Sequence, residues 1–174
     1  MNFRPFDGPY VVTDENLTAG TTVAAPIDTV FAVLADPTTH QAIDGTGWVR
    51  EPHQDTPLTE VGQVFRMHMY HDNAANPDGF YEVANRVEVF DPPRAIAWQP
   101  GQGADDANLE FGGWIWRYDL TAVDGGRTDV TLTYDWSAVP AQVREHIQFP
   151  PFDKPHLSNS LQHLAELAQS RTRR

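Results

Sequence analysis

Alternating apolar and polar residues mark the middle of this chain, most clearly in GGWIWRYDL, residues 112–120. Trp114, Trp116 and Tyr118 take every second position there, with mostly charged residues between them. Because successive side chains of a β-strand point to opposite faces of a sheet, this pattern predicts a strand with one aromatic face and one charged face. The aromatic face must either pack into a core or border a cavity.

The same period of two recurs along the chain and predicts seven strands. They lie at residues 17–25, 47–51, 63–71, 80–90, 94–100, 113–123 and 128–136. Tight-turn sequences, DPP at 91–93 and DGGR at 124–127, join neighbouring strands and indicate antiparallel pairing. A sheet with one apolar and one polar face needs a single covering layer.

Helical spacing of apolar residues appears near both ends of the chain. PIDTVFAVLAD, residues 26–36, predicts a first helix, and Asp36 is placed to cap a second short helix at 37–43. A helical turn is expected near 141–147, and a long helix at 154–170. The apolar stripe of this last helix consists of Leu157, Leu161, Leu164 and Ala168. The order of elements predicts an α+β fold, a curved antiparallel sheet covered by the last helix.

The length of the chain, 174 residues, suits one domain. We expect an irregular lead-in over residues 1–16, because Pro, Gly and Asp are mixed there without a period. A single domain is expected over residues 17–170, followed by a short basic tail at 171–174.

The chain is acidic, with 24 Asp and Glu against 12 Lys and Arg, a formal net charge of −12 and a pI of about 4.7. Such a surface repels phosphate backbones, which argues against a nucleic acid partner. Cysteine is absent, which excludes disulfides, thiolate nucleophiles and thiolate metal ligands. Without a signal-like start or an apolar run of about 18 residues, we expect a cytoplasmic protein with no membrane span. A monomer and a homodimer both stay open.

Two stretches and the closing helix resemble one known superfamily. The stretches are APIDTVFAVLADPTTHQAIDGTG, residues 25–47, and EVFDPPRAIAW, residues 88–98. Over residues 17–170 the chain resembles the SRPBCC or START-like superfamily, and within it the polyketide cyclase/dehydrase group. The resemblance implies a helix-grip fold, a seven-stranded sheet around the C-terminal helix with two short helices after the first strand and a cavity between sheet and helix. It implies no single activity, because lipid carriers, cyclases, hormone receptors and chaperone activators share the superfamily.

The order of strands also predicts where such a cavity opens. In an antiparallel meander, alternate loops share one end, so the long loops 72–79 and 102–112, the chain after Trp136 and the loop 44–47 meet there. Inward aromatic residues are concentrated toward this end, which favours a cavity near its entrance over a plain packed core. The predicted ligand-binding residues are Met67, Met69, Tyr81, Asn85, Trp98, Trp114, Trp116, Tyr134, Trp136, Leu157 and Leu161.

Four residues are candidates for chemistry. Asn85 is a lone amide on an apolar strand face, where a buried amide without a partner costs about 1–3 kcal/mol, so it bonds to protein, to water or to a ligand oxygen. Tyr81 and Tyr134 bring phenols to the same face, where each can equally be a core tyrosine. His71 is the one inward-phase histidine of the predicted sheet and the best-placed base, with a plain surface position as its alternative.

No metal or cofactor is expected. His68 and His71 are three apart on a strand and face opposite sides, while His156 and His163 are two helical turns apart, about 10 Å. No G-x-S-x-G segment and no glycine-rich phosphate loop follows a predicted strand.

Three functions remain open at this point. The first is binding of a small apolar molecule, aromatic, polyketide-like or lipid-like, in an internal cavity. The second is a cofactor-independent polyketide aromatase/cyclase or dehydratase, which requires an acid/base pair converging on the same cavity. The third is a protein-interaction module of the chaperone-activator type, in which side chains fill the interior.

Overall fold

A computed structural model describes residues 11–71 and 77–173 of the chain. Within these residues one antiparallel sheet contains nine strands. The strands are β1 Val11–Val12, β2 Asn16–Val23, β3 Val49–Pro52, β4 Val64–Tyr70, β5 Phe80–Asp91, β6 Ala95–Gln102, β7 Glu110–Phe111, β8 Ile115–Asp124 and β9 Arg127–Asp135. Their order across the sheet is β1-β2-β9-β8-β6-β5-β4-β3, and β7 pairs with the end of β6.

Four α-helices accompany the sheet in the described residues. They are α1 Ile27–Leu34, α2 His40–Ile43, α3 Ala141–Arg144 and α4 His156–Thr172. Single 3-10 turns lie at Pro37–Thr39 and Asp106–Asn108. The predicted cap is confirmed, since the Asp36 carboxylate accepts a hydrogen bond of 3.0 Å from the Thr38 backbone N–H. The predicted helix-grip fold is therefore the fold that the chain adopts.

The structure adjusts several boundaries. The seven predicted strands are present, and β1 and β7 are additional because two short segments pair along free edges of β2 and β6. The second predicted helix divides into the 3-10 turn and α2, and the helical turn after β9 is limited to α3. Helix α4 extends to Thr172, into the predicted basic tail. Residues 1–10 of the lead-in, 72–76 of a predicted mouth loop and Arg174 lie outside the described residues.

Helix α4 covers one side of the sheet. It packs mainly against β2, β9, α1 and α2, and all four residues of its predicted apolar stripe are buried. Each fully buried leucine of this kind contributes about 1.5–3 kcal/mol to folding. We call β2, the adjoining part of β9 and the α1 and α4 residues that cover them the packed half.

The remaining inner face is not covered by α4. Strands β4, β5 and β6 and the start of β8 turn their inner side chains toward an open volume that loop residues also line. We call these four segments the open half. Their opposite face is polar as predicted, with ion pairs such as Arg66–Glu82 and Arg117–Asp119.

Candidate functional site

A cavity of about 550 Å³ lies against the open half. Its walls come from the inner faces of β4, β5, β6, β8 and β9 and from the first turns of α4. Residues 44–49, 100–102, 110–114 and 147–152 also line it. These segments overlap the predicted mouth at residues 44–47, at residues 102–112 and in the chain after Trp136.

Aromatic rings dominate the wall. Trp116 lies 4.5 Å from the Tyr134 ring and 5.5 Å from Phe152, measured between ring centroids. Nearer the loops, Trp114 lies 6.0 Å from Phe149. The Trp114 and Trp116 side chains stay partly exposed, so each keeps a surface toward the cavity.

Two glycines set the position of Trp114. Gly113 adopts a φ of +104°, and a Cβ there would approach the Ala138 carbonyl oxygen to 2.7 Å. A Cβ on Gly112 would collide with the Trp114 ring itself. Only glycine tolerates the positive φ at Gly113 and the close approach at both positions. Gly112 and Gly113 therefore allow the Trp114 ring to lie at the cavity wall.

Asp44 brings a carboxylate to the cavity. It follows α2 directly, and its oxygens accept hydrogen bonds from the Thr46 backbone N–H at 3.2 Å, the Thr46 hydroxyl at 2.9 Å and the Val49 backbone N–H at 3.0 Å. Its side chain is only 6% exposed. These local bonds orient the carboxylate and compensate for its removal from water.

His156, the first residue of α4, lies opposite this carboxylate. Its Nε2 is 3.9 Å from Asp44 Oδ1, and its Nδ1 is 3.5 Å from the Ser160 hydroxyl, which accepts the Gly45 N–H at 2.9 Å. Burial lowers the pKa of His156 to about 4, although the charge of Asp44 acts in the opposite direction. The imidazole is therefore neutral at neutral pH. The 3.9 Å separation exceeds a direct hydrogen bond and leaves both groups able to contact a third polar group.

Tyrosines complete the polar part of the wall. Burial raises the pKa of Tyr81, Tyr118 and Tyr134, and the Asp44 charge raises it further for Tyr81 and Tyr118. All three phenols therefore stay protonated and act as hydrogen-bond donors rather than bases. His40 is a different case, since its Nε2 lies 2.9 Å from the Leu34 carbonyl oxygen and burial lowers its pKa.

Most of the predicted ligand-binding residues lie along the cavity. Eight of them line it: Met67, Met69, Tyr81, Asn85, Trp98, Trp114, Trp116 and Tyr134. Asn85 is 5% exposed, and its amide has no hydrogen-bond partner among the described residues. Whether these residues contact a ligand stays a prediction.

The remaining candidates are placed elsewhere. Leu157 and Leu161 are buried on the apolar stripe of α4, and Trp136 is buried with its indole N–H donating to the Asp14 carbonyl oxygen at 2.8 Å. His71 stacks on Trp48 at 4.0 Å between ring centroids and is not among the described residues that line the cavity. The reason is that β4 ends at Tyr70, one residue before His71, and the ring turns to the loop that carries Trp48.

The lining residues that were not predicted include the polar residues on which the site's chemistry depends: His40, Asp44, Tyr118, His156 and Ser160. Tyr118 shares the inward phase of Trp114 and Trp116, so alternation alone could have included it. Asp44 belongs to the DGTG loop of the predicted mouth, which was also a usable signal. Nothing in the sequence pattern indicated that α4 begins at the cavity with His156.

The described residues offer neither a metal site nor a membrane-spanning helix. No group of three or more His, Asp or Glu in residues 11–71 and 77–173 is arranged to hold a metal ion. None of the helices in the same residues has the length and apolarity needed to cross a membrane.

Comparison with known sequences gives distant relatives. No family model matches the chain. Two uncharacterized proteins of Mycobacterium tuberculosis strains are 29% and 28% identical to it over 119 residues, which is 68% of this chain. The chain spans about half the length of these curated relatives, 46% in both.

Comparison with solved structures gives the same fold over nearly the whole chain. A protein of Mycobacterium smegmatis matches with a TM-score of 0.62 at 19% identity, covering 92% of this chain and 99% of that one. A protein of Nitrosomonas europaea matches at 0.65 and 15%, covering 94% and 100%. Zhui aromatase/cyclase of Streptomyces sp. R1128 matches at 0.55 and 20%, covering 90% and 94%. At these identities the likeness concerns the fold alone.

Proposed function

We propose that this protein binds a small, mostly apolar molecule of aromatic, polyketide-like or lipid-like character. The observation that carries this proposal is the cavity of about 550 Å³, whose lining includes four tryptophans and two methionines. Ligand pockets usually enclose about 300–1,000 Å³ and combine an apolar wall with a few polar groups. Asp44, Asn85 and His156 provide such polar groups here.

Membership of the START-like superfamily, in its polyketide cyclase/dehydrase group, is part of the same proposal, with residues 17–170 as its single domain. The fold shared with an aromatase/cyclase supports it. The stretch 25–47, on which the resemblance rests, forms α1, the 3-10 turn and α2 and brings Asp44 to the cavity. The open volume speaks against the interaction-module alternative, which requires an interior filled by side chains.

A dye-binding experiment tests the proposal. An environment-sensitive apolar dye should bind at about one site per chain and be displaced by flat aromatic compounds. Val83 lines the cavity, so Val83→Phe should reduce its volume and weaken dye binding about tenfold. Thr121→Phe places the same ring on the exposed side of β8 and should leave binding unchanged. Equal effects of both substitutions, or no saturable binding at all, would contradict the proposal.

Catalysis in the same cavity is the second candidate function, with the protein acting as an aromatase/cyclase or dehydratase. The observation that favours it is the convergence of Asp44 and His156, 3.9 Å apart, beside the protonated Tyr81 and Tyr118. Neutral His156 can take a proton from a carbon between two carbonyl groups, and a phenol can donate to the developing enolate oxygen.

A soluble thioester of a poly-β-ketone separates the two candidates. If the protein is an enzyme, aromatic product should form faster than in buffer, and Asp44→Asn should lower the rate roughly 100-fold. Asp119→Asn, the same change on the outer face of β8, should leave the rate unaltered. Saturable binding of the thioester without faster product formation would support binding alone.

A further inference from the structure

We propose that the cavity selects a neutral aromatic or cyclic ligand that carries a hydroxyl group, and that it discriminates against carboxylates. The hydroxyl group would lie between Asp44 and His156. This inference rests on the proposed function and narrows the chemical class of its ligand.

The first argument is the charge of the wall. The titratable groups that line the cavity, apart from three tyrosines, are His40, Asp44, Glu110 and His156, and the described lining contains neither Lys nor Arg. His40 and His156 are buried, which disfavours their cationic forms. A carboxylate brought into this volume would face the Asp44 charge at low dielectric with no opposite charge to pair with it.

Nearby arginines do not change this balance, because they are directed elsewhere. Arg66 pairs with Glu82 and Asp106, and Arg86 pairs with Glu88, all on the outer face of the sheet. Arg50 lies over the Tyr70 ring at 5.3 Å from its centroid. Arg144 donates to backbone carbonyl oxygens, among them that of Val139 at 3.1 Å.

The second argument is the geometry of the pair. A hydroxyl group donates one hydrogen bond and accepts others, while an ether only accepts and a carboxylate carries charge. Asp44 Oδ1 accepts, and His156 Nε2 is 3.9 Å away, so a single oxygen can contact both atoms. When the Ser160 hydroxyl donates to His156 Nδ1, the ring proton is on Nε2 and is available to that oxygen. A hydroxyl group therefore satisfies both partners together.

Three naphthalene derivatives test the selectivity on the unaltered protein by calorimetric titration at neutral pH. Naphthol should bind at least tenfold more tightly than methoxynaphthalene, because a hydrogen bond to a charged acceptor adds this much affinity or more. Naphthoate should bind most weakly of the three. Equal affinity for naphthol and methoxynaphthalene, or naphthoate as the tightest ligand, would overturn the inference and leave the proposed function intact. Absence of binding by all three would overturn the inference, and the dye titration then decides the proposed function separately.

A matched pair of variants assigns the effect to Asp44. Asp44→Asn should reduce the preference for naphthol over naphthoate at least tenfold. Asp119→Asn removes the same unit of charge from the outer face, where it pairs with Arg117, and should preserve the preference. An equal reduction in both variants would attribute selectivity to the net charge of the chain and overturn the inference. If Asp44→Asn does not fold, because Asp44 also binds Thr46 and Val49, the three ligands on the unaltered protein decide the matter.

Discussion

The packed half and the open half share one sheet and the same alternating pattern, yet only the packed half is filled. A helix with its side chains is about 10–12 Å wide, and neighbouring strands are about 4.8 Å apart, so one helix covers about two strands. Helix α4 lies over β2 and β9. The inner faces of β4, β5 and β6 lie beyond its reach and border the cavity instead.

This comparison shows that a cavity follows from the proportion of helix to sheet rather than from any special sequence. Polar groups gather where the two halves meet. Asp44 comes from the end of α2, and His156 and Ser160 from the first turns of α4. Truncating a side chain should therefore lower stability in the packed half and weaken ligand binding in the open half. At the border between the halves it should affect both.

The largest effect on stability is expected in the packed half. Leu161 lies on the apolar stripe of α4 and is only 1% exposed, so Leu161→Ala should lower the free energy of unfolding by about 2–5 kcal/mol. Denaturant titration measures this change. Ligand affinity, measured where the variant is fully folded, should stay the same. Val123→Ala, at an exposed position near the end of β8, is the control and should change stability by less than about 0.5 kcal/mol. Weaker binding by Leu161→Ala would show that the packed half takes part in the site.

Lowering the pH should reduce the free energy of unfolding through His156, which lies at the border between the two halves. His156 has a pKa of about 4 in the folded chain, below its ordinary 6.5, so the unfolded chain binds this proton first as the pH falls. The free energy of unfolding should thus be highest above pH 6.5 and fall toward pH 4, by about 3 kcal/mol at most from this group. Buried His40 acts in the same direction.

The variant His156→Gln should flatten this pH dependence in denaturant titrations, leaving the part due to His40. His146→Gln changes an exposed histidine and should leave the profile as it is. A profile that His156→Gln does not alter would contradict a buried, neutral His156.

A smaller change of stability is expected in the open half. Trp114 keeps a surface toward the cavity, so Trp114→Ala should cost less than the roughly 3–5 kcal/mol of a core aromatic, yet weaken ligand binding clearly. Trp116→Ala should cost more, because its ring contacts Tyr134, Phe152 and His156. Thermal melts and ligand titrations measure both. Arg117→Ala, on the outer face, should affect neither, and core-like losses for both tryptophans without any change in binding would remove the distinction between the halves.

The smallest change of stability is expected at Asn85. Its amide has no partner among the described residues, so Asn85→Leu should leave the free energy of unfolding within about 1 kcal/mol or raise it. Affinity for ligands that carry oxygen should fall, while affinity for hydrocarbons should not. Strong destabilisation with unchanged binding would instead give Asn85 a structural role.

The sequence predicted those features of the molecule that depend on neighbouring residues, such as strand faces and helix caps. Strand alternation separated the inner from the outer face, and a capping residue, Asp36, marked the 3-10 turn after α1. The sequence pattern could not tell which inward residues border the cavity, because that depends on where α4 and the loops pack against the sheet. Trp136 and Leu161 therefore share a predicted set with Trp98 although only Trp98 lines the cavity.

The polar cluster of Asp44, His156 and Ser160 could not be predicted for a different reason, because it depends on contacts between distant parts of the chain. Gly45 and Ser160 are bonded to each other across 115 residues of sequence, through the packing of α2 against α4. No periodic pattern reports a contact of that separation. His71 had the correct phase for the inner face, but phase has meaning only inside a strand, and β4 ends at Tyr70.

Positions in the wall of the cavity differ in how freely they can vary in evolution, and Gly112 and Gly113 are positions where a side chain does not fit. A side chain at either glycine would displace Trp114 or the Ala138 backbone, so this part of the wall depends on two residues without side chains. Val83, Asn85 and the tyrosines point into open volume, where replacement changes chemistry without moving the backbone. Substitutions that change ligand preference, in nature or in a mutant library, should therefore accumulate on the strands while Gly112 and Gly113 are retained.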